Sequence, residues 1–144
     1  MALDDKKIPS TRKADETITF EMKRRLKDGL LSCAAAFAAA EALGVSPAEV
    51  GRTADVLQIR LSLCQLGLFG FPGHAKGWDQ AKAAEKPVPA GLEEGLRSAH
   101  GGKGELSCLA IWRIAERFGV SRIQAGYIAD KLGLRIRPCQ LGAF

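Results

Sequence analysis

The sequence predicts a mainly α-helical protein with short β-strands, built as two tandem repeats that pack together as an internal pseudo-dimer. The first observation behind this is a duplication. Sliding the chain against itself by 75 positions aligns residues 31–69 with 106–144 without a gap, and 19 of those 39 pairs are identical. The second is periodicity: each copy carries apolar residues at helical spacing, then one short stretch that alternates with period two. The third is size. The 144 residues suit one domain or two very small ones, and 47% hydrophobic with 26% charged residues is ordinary for a folded chain. Two copies are too few for a solenoid, so paired small units are the expected arrangement.

The elements follow in order. Residues 1–15 are polar and charged and read as a mobile arm in which Arg12 and Lys13 are placed to touch phosphate. The first repeat spans 16–70, a Gly/Pro-rich linker spans 71–90, and the second repeat spans 91–144. Each repeat opens with an amphipathic lead-in; "TITFEMKRRLKDG" puts Ile18, Met22 and Leu26 on one face, with Phe20 beside them, and "GLEEGLRSAHGGKG" is its weaker counterpart. A short extended piece comes next. Ser32 and Ser107 then cap second helices over Cys33–Leu43 and Cys108–Phe118, which Gly44 and Gly119 end. Ser46 with Glu49, and Ser121 with Gln124, have the capping-box spacing that opens a third helix, running to about Leu57 or Leu132. A closing strand follows, with Ile59, Leu61 and Leu63 facing one way and Arg60, Ser62 and Cys64 the other. The strand ends in Cys-Gln-Leu-Gly, at 64–67 and again at 139–142.

Helix, strand, helix, turn, helix, strand is the order of a winged helix, and the middle of each copy resembles the helix-turn-helix motif of bacterial DNA-binding proteins. The residues that carry the resemblance are Ala40, Gly44, Val45 and Val50 in the first copy, and Ala115, Gly119, Val120, Ala125 and Ile128 in the second. The resemblance is to the superfamily and covers about 20 residues per copy. It implies a transcriptional regulator that places its third helix in the major groove of double-stranded DNA. Ser121, Arg122, Ile123, Gly126 and Tyr127 would then face outward, with Gln124 and Lys131 on the same helix and Arg137 close by. In the first copy the equivalents are small, and Arg52 is the one cation.

Charge agrees with an anionic partner. The net charge is +5, and residues 106–144 carry 6 Lys/Arg against 2 Asp/Glu, so the second copy is the expected reader. A competing expectation is a non-enzymatic accessory protein that binds a protein partner or itself. It rests on Gly51 and Gly126, shared by both copies, which suit close approach by another backbone and add nothing to base readout. No Gly-rich phosphate loop or catalytic set is present, so no enzymatic activity and no cofactor are expected. No apolar run is long enough to span a membrane, and the N-terminus lacks the apolar core of a secretion signal, from which a cytoplasmic location is expected.

Four cysteines remain: Cys33, Cys64, Cys108 and Cys139. Pairing the first strand with the last brings Cys33 toward Cys64 and Cys108 toward Cys139. Three readings stay open: small buried hydrophobes, a thiol pair whose thiolate is favoured by Arg60 or Arg135, and a four-cysteine metal site joining both copies.

Overall fold

The computed structural model describes residues 15–102 and 104–144, so the N-terminal arm other than Asp15 lies outside the described residues. Asp15 itself caps helix α1 (Glu16–Lys23): its carboxylate accepts from the Ile18 amide at 2.9 Å. Ile18 and Met22 fill the inner face of α1, whereas Phe20, expected beside them, is 71% exposed. Phe20 stands two residues from each of them, which on a helix is the opposite side.

Strand β1 (Leu30–Ser32) leads into α2 (Cys33–Leu43), and α3 (Pro47–Val56) leads into β2 (Arg60–Ser62). The Ser32 hydroxyl accepts from Ala35 and the Ser46 hydroxyl from Glu49, so both helices begin where the sequence predicts. Gly44 ends α2 with φ 67°, a conformation that favours glycine. Across this turn α3 departs from α2 by 115°. β1 and β2 pair in parallel, Leu31 opposite Leu61, which closes the strand-helix-helix-strand unit. The period-two expectation stops at Ser62. Leu63 has φ 46° and is 44% exposed instead of sharing a face with Leu61, because a left-handed residue breaks the alternation. The chain then doubles back: the Leu63 and Cys64 amides donate to the Gly70 and Phe69 carbonyls.

After a linker with a single 3-10 turn (Ala83–Glu85) come α4 (Leu92–His100), α5 (Cys108–Phe118) and α6 (Arg122–Lys131). Ser107 and Ser121 cap α5 and α6, and Gly119 ends α5 in the left-handed region. Strand pairing is reduced to one parallel bridge between Leu106 and Ile136. The molecule is thus mainly helical, with six described helices and a two-stranded parallel sheet. No described helix is long and apolar enough to cross a membrane.

Two buried clusters make up the core, and each takes a loop from the other stretch. Leu66 and Cys64 are buried with Leu92, Leu106, Ile111 and Ile128 of the second stretch. Leu141 is buried with Met22, Leu31 and Val50 of the first, and Cys139 packs against the same cluster. The closing loops are therefore exchanged.

Candidate functional site

The exchanged loops land on the third helices, at the two glycines. A Cβ on Gly126 would overlap the Leu66 carbonyl oxygen, and a Cβ on Gly51 would overlap that of Leu141. Glycine is required at both places by the closeness of backbone to backbone, not by φ. Close approach at Gly51 and Gly126 is expected from the other repeat or from another chain, and here the other stretch of the same chain supplies it.

This contact changes what α6 presents. Gly126 is buried, and Gln124 is only 2% exposed. The Gln124 amide nitrogen donates to the Lys86 and Pro87 carbonyls at 3.4 and 3.5 Å, while its Oε1 has no partner among the described residues. Tyr127 is half-buried, edge-on to Trp78 with ring centroids 5.4 Å apart. The Trp78 indole donates to the Leu66 carbonyl at 3.1 Å, so the linker clamps the loop that rests on α6. The outward placement expected for Gly126 and Tyr127 is therefore corrected, and Gln124 points to the linker. Ser121 is exposed, with its hydroxyl engaged as the helix cap. Lys131 is exposed on the last turn of α6, and Arg137 meets Glu105 at 3.5 Å on the surface. On α3, Arg52 is exposed, while Thr53 is buried and donates to the Glu49 carbonyl.

Arg122 is held by two contacts. Its guanidinium lies 3.6 Å from the centre of the Trp112 ring, and Nη1 donates to Gln65 Oε1 at 2.5 Å. Trp112 in turn packs on Phe37, with centroids 4.6 Å apart. Gln65 passes the contact on, its Nε2 reaching Cys33 Sγ at 3.5 Å. Arg122 is thus exposed yet tied to the first stretch through Gln65 and stacked at the seam.

The cysteines are all free. Cys33, Cys64 and Cys108 are buried and Cys139 is half-buried. Gln140 donates to Cys108 at 3.4 Å, mirroring Gln65 on Cys33, and the Leu141 amide donates to Cys139 at 3.3 Å. Burial pushes the thiols of Cys33, Cys64 and Cys108 upward, the last to about 11. A thiolate favoured at Cys33, Cys64 or Cys108 is corrected accordingly, since burial is the largest influence on each of these thiols. Among the described residues no three His, Cys, Asp or Glu side chains converge as metal ligands, and the four cysteines do not assemble such a site.

Sequence reasoning missed Trp78 and Gln65 as structural contacts. The signal for Gln65 was its repetition as Gln140; Trp78 has no counterpart in the duplication and gave none. Comparison with protein-family models, with curated proteins and with solved structures finds nothing that matches this chain.

Proposed function

We propose that this chain is a non-enzymatic accessory protein, two winged-helix-like repeats paired as an internal pseudo-dimer, and that it acts by binding another protein. The observation that carries this reading is the covering of both third helices at their midpoints. A helix-turn-helix protein inserts the outward face of that helix into the major groove. Here the middle of each face lies under a carbonyl from the other copy, and Trp78, Lys86 and Pro87 cover α6 further. Freeing the helices for DNA would pull Leu66 and Leu141 out of both cores. The pairing is supported by residues that touch their own counterparts: Phe37 with Trp112, and Phe69 with Phe144 at 6.1 Å. Each pair is separated by the 75-residue offset of the duplication, as expected beside a two-fold axis.

A second reading, a regulator that binds double-stranded DNA, draws on the exposed Arg52, Arg122, Lys131 and Arg137. The two readings part in a titration of a fluorescent DNA duplex at rising salt. The accessory reading expects no saturable binding even at low salt. Affinity that falls steeply with salt, and that drops more in Arg122→Ala and Arg137→Ala than in Arg52→Ala, would establish the DNA reading instead.

A further inference from the structure

The bridge between Leu106 and Ile136 leaves one strand edge open. The Leu106 amide donates to the Arg135 carbonyl at 2.7 Å, and the Arg137 amide donates to the Leu106 carbonyl at 2.9 Å. In a parallel pair, the residue between those two directs its own N–H and C=O to the opposite edge. That residue is Ile136, and neither group has a hydrogen-bond partner among the described residues. Beside it lies a groove of about 520 Å³ whose lining includes Leu134, Arg135 and Ile136. Its apolar lining comes from Leu68, Phe69, Leu134 and Phe144, which both copies supply. Its charged groups are Lys76 and Arg135 against Asp130, a net positive rim.

We infer that this edge is a docking site for an extended peptide of alternating apolar and acidic residues, which pairs with the open backbone at Ile136 as an added strand. The inference rests on the accessory reading and names the partner's chemistry. Strand addition takes its affinity from main-chain hydrogen bonds and its selectivity from pockets for alternate side chains. The Ile136 amide and carbonyl supply the first, and the groove supplies the second. Lys76 and Arg135 select carboxylates on the residues that point to the rim. A nucleic acid would use the cations and leave the apolar floor and the Ile136 amide idle, so the peptide is the better fit.

The test uses the full chain and a fluorescein-labelled peptide, Glu-Val-Glu-Val-Glu-Val-Glu with capped ends, read by anisotropy. Its backbone N-methylated form and its lysine counterpart serve as controls. The expected result is saturable binding that either control weakens by about tenfold or more. Ile136→Pro removes the edge donor and trims a side chain packed on the core, so affinity should fall by about tenfold or more with some loss of thermal stability but a folded chain. Arg135→Glu should lower it also, and saturating peptide should slow hydrogen exchange of the Ile136 amide. Equal binding of the N-methylated peptide, or unchanged binding to Ile136→Pro, overturns the proposal. So does a peptide-free dimer that Ile136→Pro abolishes, which would make the edge a self-pairing surface. If the duplex titration shows no DNA binding while the peptide series shows no backbone dependence, the accessory reading stands and this inference alone fails.

Discussion

Cys108 is the first residue of α5, where a helix N-terminus ordinarily favours a thiolate. Its thiol is nevertheless pushed from the usual 9.0 to about 11, chiefly by burial. Desolvation wins because the side chain faces the core beside Leu106 and Ile111, not the helix axis. The sign of the consequence follows. An acid whose folded pKa is raised keeps its proton longer when folded, so its contribution is complete below pH 9 and is lost as the pH rises toward 11. The loss should be on the order of 2 kcal/mol across that window. Urea unfolding at pH 7, 9 and 10.5 checks this. Cys108→Ala should be less stable at pH 7 but lose less between pH 9 and 10.5; an unchanged slope would show that Cys108 is not the group responsible. Cys33 and Cys64, raised for the same reason, leave part of the slope in place.

At the scale of elements, the exchange depends on α6 and α3 offering a bare backbone to the incoming loops. Gly126→Ala puts a methyl group against the Leu66 carbonyl, with the Leu66 Cβ also close, and neither backbone has room to shift without moving the loop. Loss of about 2 kcal/mol or more is expected, measured by thermal or urea unfolding. Gly51→Ala, against the Leu141 carbonyl, should behave alike. Gly95→Ala on α4 is the comparison: the nearest atom there is the far end of the flexible Arg117 side chain, so the gain in helix propensity should leave stability level or slightly higher. Equal effects at all three would remove the loop contact as the explanation. Local chemistry made most of these elements legible. Ser32, Ser46, Ser107 and Ser121 mark helix starts by bonds that span three residues, and Gly44 and Gly119 mark ends by a conformation other residues rarely adopt. What escaped was non-local. Leu66 and Leu141 stand in the same Cys-Gln-Leu-Gly, and nothing near either one states which copy's glycine it will meet. Leu63 escaped for a different reason, since a single left-handed residue leaves no mark in an alternating pattern.

The whole molecule ties these scales together, because neither stretch holds all the residues of its own core. The cluster around Met22, Leu31 and Val50 is closed by Leu141, and the one around Leu92, Leu106 and Ile111 is closed by Leu66. Removing Leu141 from the first cluster leaves a buried opening whose cost, some 3–5 kcal/mol for a large core side chain, rivals the stability of a chain this small. A fragment of residues 15–70 still carries its own Leu66 and its own Gly51, however. In a pair of such fragments the Leu66 of one can take the place of Leu141 on the other, restoring both cores with true two-fold symmetry. The fragment should therefore be poorly helical when dilute and gain helicity as it dimerises at higher concentration. Circular dichroism over a concentration series, with sedimentation at each point, follows both changes together. Gly51→Ala in the fragment should suppress the dimer and the helicity alike. A fragment that is monomeric and fully helical at every concentration would mean that the exchanged loop is dispensable to the core. The 75-residue duplication would then record a repeat of sequence without a shared interface.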